Sequence, residues 1–173
     1  PKIFISDDNK YLFLHISSVK SELLTYYTNI SELHNEKINW KPMTRYEDEI
    51  TDYYSLGNQL FFLSHKNAPK FKIGVTNLLN PNFETAKIIV AEGKDVITSI
   101  QKTKNYIIYA TSNGLTKEKY VINPKTFTTQ KLQLPQGVNG SSPFSPTLNN
   151  KLIVYNTNWL SPYSIYEYDV TKH

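Results

Sequence analysis

Internal repetition constrains this chain more than any other feature, because a recurring pattern of this length restricts the fold to an array of like units. Four segments share a polar turn followed by an apolar strand: residues 9–14, 58–63, 104–109 and 150–155. Their starts lie roughly 46 to 49 residues apart, within the range of β-propeller blades. A second strand follows each at a steady offset, at residues 24–29, 72–77, 118–123 and 165–169. These strands end in Asn29, Asn77, Asn123 and Asp169. Asn and Asp at such ends tolerate left-handed backbone and bond to their own turn.

A third, weaker strand is expected at residues 38–40, 87–90 and 129–132. A further strand precedes each pair, at 2–5, 50–54 and 96–100, with a poor one near 141–144. Each unit is then four antiparallel strands, innermost first, which is a propeller blade. The expected fold is all-β: a β-propeller fragment of about four blades, at residues 1–45, 46–92, 93–137 and 138–173, with the last blade incomplete. Residues 21–33 carry apolar side chains at mixed spacing, so little helix is expected. An open arc leaves apolar blade faces exposed at both ends, and such patches drive association, so self-association is expected.

Composition fits strands. Aromatic residues make up 13% of the chain, with 13 tyrosines and 8 phenylalanines to pack on pleated faces. The net charge is +4, but the lysines are scattered and Arg45 is the sole arginine. Arginine's planar fork is what usually reads phosphates and bases, so a solvated lysine surface is expected and nucleic acid is not an expected partner. No membrane partner is expected either: no apolar run approaches the ~20 residues that span a bilayer. The absence of cysteine excludes disulfides, zinc–thiolate sites and cysteine nucleophiles. It leaves the compartment open, cytoplasmic or periplasmic.

No catalytic constellation is visible. The Gly-x-Ser-x-Gly elbow that exposes a hydrolase nucleophile is missing, and residues 137–143 read as a connection between blades. His15, His34, His65 and His173 share no metal-ligand spacing. His15 lies on an apolar strand, where a packed, hydrogen-bonded imidazole is expected. Glu47, Asp48, Glu49 and Asp52 lack the calcium-loop pattern and are expected in a solvated turn between blades, as are Asp7 and Asp8. Asn29-Ile30-Ser31 and Asn139-Gly140-Ser141 match the glycosylation triplet, a pattern that arises often by chance. No metal or cofactor is expected.

Four stretches together resemble the propeller of the prolyl oligopeptidase family. Residues 5–12 resemble its blade start I-S-x-D-G-R-Y-L, with Asn9 in place of the glycine. Residues 53–72 resemble the stretch ending T-N-x-x-A-P-x-x-x-L, here carrying Asn67-Ala68-Pro69. Residues 92–97 resemble P-E-x-x-D-V-L, and residues 159–169 resemble F-x-x-P-x-x-x-Y-x-Y-D. Their order is that of the last four of seven blades.

The resemblance implies a serine peptidase whose α/β-hydrolase domain is capped by the propeller. It implies a propeller that filters substrates, admitting short proline-containing peptides and excluding folded proteins. The catalytic Ser, Asp and His of that family lie in the hydrolase domain, so this chain is expected to carry none of them. The implied partners are the peptidase domain of the same parent chain and, through the parent, short peptides.

The resemblance also implies cavity-facing residues in the loop after the first blade's apolar strand, here Ser17, Ser18, Val19 and Lys20. The family's substrate-facing arginine falls on Ser17, a departure. The equivalent later loops hold His65, Lys66 and Asn67, residues 112–116, and Trp159. Two other readings stay open: a free-standing propeller that binds a protein or ligand, and a dipeptidyl-peptidase or acylaminoacyl-peptidase relative. Fold alone does not choose among them.

Overall fold

The computed structural model describes residues 1–6, 8–16, 18–134, 144–147, 149–158 and 161–172. They form four antiparallel sheets in two compact units, Pro1–Ala91 and Glu92–His173. The fold is all-β, of the β-propeller kind.

The first unit holds two four-stranded sheets. One is β1 (Lys2–Ile5), β2 (Tyr11–Ile16), β3 (Leu24–Asn29) and β4 (Lys41–Thr44), paired in chain order. The other is β5 (Ile50–Leu56), β6 (Gln59–Ser64), β7 (Lys72–Asn77) and β8 (Lys87–Val90), also in chain order. Its core joins Phe13, Tyr27 and Met43 of the first sheet to Leu60 of the second and to Leu78, which follows β7. Tyr11, Tyr53 and Phe83 pack around them. The phenolic O–H of Tyr27 adds a directional tie by donating to the Leu79 carbonyl at 2.7 Å.

The second unit repeats the plan with β9 (Val96–Lys102), β10 (Ile107–Ser112), β11 (Lys117–Ile122) and β12 (Thr129–Lys131). A three-stranded sheet follows: β13 (Phe144–Pro146), β14 (Lys151–Asn158) and β15 (Ser161–Asp169). Ile108, Val121 and Leu132 pack against Leu152, Val154 and Val170. In both units the alternation of strand side chains puts one apolar row on the neighbouring sheet.

The turns explain why the pattern repeats. The side chains of Asn29, Asn77, Asn123 and Asp169 each accept the backbone N–H two residues on, at 3.0, 2.8, 2.9 and 2.9 Å. These are the Asx turns that the strand-end residues lead one to expect. The following residue then closes the blade. Ile30, Leu78 and Val170 donate to the carbonyls of Lys10, Asn58 and Asn150, just ahead of the apolar strand. Asn9 adopts a left-handed φ of 56°, which suits the position where the family pattern carries glycine.

Two expectations need correction. The outer strand of the first sheet is Lys41–Thr44, not residues 38–40. The 3-10 helix Ile30–His34, capped by Asn29, occupies the chain after β3 and delays the return. Pairing of Tyr26 with Pro42 and of Thr25 with Thr44 sets the register, and an edge strand tolerates the proline.

Asp52 is not in a solvated turn. It lies within β5 at a β-bulge opposite Leu63, while Glu47 and Asp48 form a 3-10 turn that ends at Glu49. The described part of β13 is Phe144–Pro146, and residues 141–143 of the strand expected near 141–144 lie outside the described residues.

Candidate functional site

Antiparallel strands return their connections to the same end of a sheet. In the first unit this gathers the β2–β3 loop, the β4–β5 connection and the β6–β7 loop. Two backbone bonds seal the gathering: Leu23 N–H to the Ile50 carbonyl at 2.8 Å, and His65 N–H to the Glu49 carbonyl at 3.1 Å. Thr44 Oγ1 and Ser64 Oγ, both buried, donate to the carbonyls of Leu23 and Asp48.

Six residues of this end, or of its second-unit equivalents, were expected to be functional besides Ser17, which with Trp159 lies outside the described residues. Ser18 accepts the Lys20 N–H at 3.1 Å and so shapes the loop tip. The Lys20 ammonium sits 4.6 Å from the centroid of the Tyr46 ring, an exposed cation–π contact.

His65 is the centre of the cluster. Its Nε2 lies 3.0 Å from Glu22 Oε1 and its Nδ1 3.1 Å from Glu49 Oε2. The ring also stands edge-on to Phe71, with centroids 5.5 Å apart. Glu22 comes from the β2–β3 loop and Glu49 from the β4–β5 connection, so one imidazole touches three chain segments. The Glu22 carboxyl is held below its ordinary range, first by a bond from its own backbone N–H and then by His65.

Lys66 turns to Glu84, 2.6 Å away, and that bond raises the Lys66 ammonium and lowers the Glu84 carboxyl. Its backbone N–H goes to Ser64 Oγ, and its carbonyl takes the Lys72 ammonium at 2.6 Å. Asn67 holds a left-handed φ of 53°. Two successive turns follow, Ala68 N–H to the His65 carbonyl and Phe71 N–H to the Ala68 carbonyl. Buried Ala68 anchors them. The loop is thus a built structure, tied at nearly every residue.

The structure brings the Ser18–Lys20 loop and the His65 loop together through Glu22. Sequence reasoning missed Glu22, Glu49 and Tyr46, since partners 43 residues apart (Glu22 and His65) leave no local signal. Only the blade repeat, which puts equivalent loops side by side, could have indicated them. The corresponding loop of the second unit is a self-contained turn, in which Asn113 Oδ1 accepts from Leu115 and Thr116 and Gly114 takes a φ of 93°.

Elsewhere, His15 is half-buried on β2 opposite Lys2 and Thr25. Burial and then the Lys2 charge hold its imidazole below the ordinary range. A cleft of about 330 Å³ opens among Tyr11, Tyr27, Asn29, Glu32, Lys41 and Leu79. Among the described residues no group of three or more His, Asp or Glu side chains could hold a metal ion, and no helix is long and apolar enough to cross a membrane.

Residues 2–173 match the family described as the prolyl oligopeptidase N-terminal β-propeller domain. The prolyl endopeptidase of Elizabethkingia meningoseptica is 22% identical over 169 residues, which is 97% of this chain and 23% of that protein. The chain therefore spans under a quarter of the length of this curated relative. A solved prolyl endopeptidase, from a study of two such enzymes and their inter-domain dynamics, superposes with a TM-score of 0.78 at 18% identity. It covers 99% of this chain and 25% of the other. Apo prolyl oligopeptidase B from Galerina marginata gives 0.70 at 18% identity, covering 99% and 24%.

Proposed function

The chain belongs to the prolyl oligopeptidase N-terminal β-propeller family, and from that premise we propose that it is a non-catalytic propeller segment gating the access of short peptides to a catalytic domain of its parent protein. The family match over residues 2–173 carries this reading. The coverage of relatives is consistent with it. Nearly all of this chain aligns, while some three-quarters of the prolyl endopeptidase lies beyond the alignment and has room for an α/β-hydrolase domain.

Residues 1–45, 46–92, 93–137 and 138–173 are read as four blades. The loops carrying Ser17, Ser18, Lys20, His65, Lys66, Asn67 and Trp159 are read as those that face the peptidase domain. A filter needs a rigid rim, and the tying of residues 65–71 is in keeping with that role. The partners are that domain in the same parent chain and, through it, proline-containing peptides. Self-association is part of the same reading: Ile3, Phe4 and Ile5 of edge strand β1 are all exposed, and an apolar edge strand invites pairing. Light scattering of the 173-residue chain at micromolar concentration checks it, and a monodisperse monomer counts against it.

The coding sequence downstream of His173 tests the reading first. An open frame running into Gly-x-Ser-x-Gly and later Asp and His supports it. An early stop favours a free-standing binding propeller. In the full-length protein a short proline peptide should be cleaved and a folded protein carrying the same sequence spared. Equal cleavage of both removes the gate. The 173-residue chain alone should leave a Gly-Pro reporter peptide intact.

A further inference from the structure

The imidazole of His65 touches two carboxylates, one at each ring nitrogen. A carboxylate oxygen only accepts, so both contacts are hydrogen bonds only when both nitrogens carry protons. A neutral ring keeps one N–H, and the other nitrogen then presents a lone pair to a carboxylate about 3 Å away, turning attraction into repulsion. The two carboxylates come from different connections, which are also tied through the Thr44 and Ser64 hydroxyls to the Leu23 and Asp48 carbonyls. Leu23 N–H to Ile50 and His65 N–H to Glu49 are the backbone ties.

We propose that His65 is a proton-operated latch: doubly protonated, it fastens the β2–β3 loop and the β4–β5 connection to the β6–β7 loop, and losing one proton releases one of them. The charged neighbours leave this role to His65. Lys66 bonds to Glu84, with its charge also bearing more weakly on Asp48 and Glu49, Lys72 is taken by the Lys66 carbonyl, and Lys20 lies over the Tyr46 ring. Asp48 accepts the Arg45 N–H. Glu22 and Glu49 are the carboxylates that face the ring, and Phe71 covers its edge. The latch works within this chain, so its test is separate from that of the gate.

Amide hydrogen exchange on the 173-residue chain, corrected for the intrinsic pH dependence of exchange, reads the latch directly. The comparison is between about pH 5 and about pH 8, on either side of the range in which histidine titrates. Partly exposed ion pairs are worth up to about 1 kcal/mol, so protection at Leu23 and His65 should fall roughly fivefold toward the higher pH. Protection at Phe61 and Phe62, in the middle of β6, should stay constant.

His65→Gln should show the low protection at both pH values. Glu49→Gln, whose amide can donate or accept, should keep protection at both. Constant protection in the unsubstituted chain overturns the latch, as does a pH dependence that survives His65→Gln. Ring ¹⁵N shifts of His65 need no variant: a neutral tautomer with the loops still ordered overturns the latch.

Discussion

The ring of Phe62 occupies the space where a side chain of Gly74, its directly opposed partner across β6 and β7, would stand. A β-carbon on Gly74 would lie 2.3 Å from Phe62 Cζ and 2.7 Å from Cε1. Phe62 is fully buried and its ring meets Phe83 edge-on at 5.1 Å, so it has little freedom to retreat. The glycine is thus a seat for the aromatic, a cross-strand pairing that fills what glycine leaves empty.

Gly74→Ala should therefore destabilise the chain by about 1–3 kcal/mol, the usual result of overpacking a filled core. Urea denaturation should show a lower midpoint with an unchanged slope. The double variant with Phe62→Leu should recover part of the loss that the two single changes add up to, because the smaller side chain vacates the contested space. Strict additivity would show that the ring moves freely and that the seat is unimportant.

Asp52 shows where burial acts on charge. Its carboxyl is pushed up to about 6 by burial, against a bond from the Tyr53 N–H at 2.9 Å that pulls the other way. A carboxyl whose folded value is raised binds more protons in the folded chain than in the unfolded one. Its contribution to stability is therefore present at low pH and is lost as pH rises from about 4 to about 6.

Asp52→Asn keeps the acceptor for Tyr53 and removes the charge. It should raise stability at pH 7 by about 1–2 kcal/mol, discounted for partial exposure, and change little near pH 4. Thermal denaturation across that range reads both ends. A loss of stability at pH 7 would mean that the carboxylate has a charge partner more important than its burial.

The strands that repeat were legible because turn chemistry and strand pattern point the same way. β3 and β7 coincide with their expected spans, and the four strand-end Asx residues bond as their chemistry demands. β4 was not legible. Ile38, Asn39 and Trp40 alternate like a strand, but tertiary pairing with Tyr26 and Thr25 selected residues 41–44, whose buried members are Met43 and Thr44. Asp52 misled for a related reason, since it follows an acidic run yet falls at a bulge inside β5. The loop end of the first unit was legible by position only. Lys20 and His65 were on the right loops, but their partners Tyr46, Glu22 and Glu49 are set by which loops the sheets bring together.

Lys119 offers the complementary titration. It is only 3% exposed on β11, with its ammonium 5.0 Å from the centroid of the Phe144 ring of β13. Burial, and secondarily the charge of Lys117, lower the ammonium to about 8 from an ordinary 10.5. A cation–π contact contributes about 0.5–2 kcal/mol and acts in the opposite direction, favouring the charged ammonium. The unfolded chain then binds the extra proton between about pH 8 and 10.5, and this lysine's contribution to stability rises with pH across that window. Lys119→Met keeps the length and apolar stem. It should stabilise the chain at pH 7 by about 1–2 kcal/mol and flatten the rise above pH 8. Urea titrations at pH 7 and about pH 10 separate the alternatives. A stabilised variant at pH 7 whose advantage shrinks at the higher pH identifies burial as the dominant force. A variant weaker at pH 7 would instead mean that the contacts of the Lys119 side chain, the Phe144 ring among them, outweigh its burial.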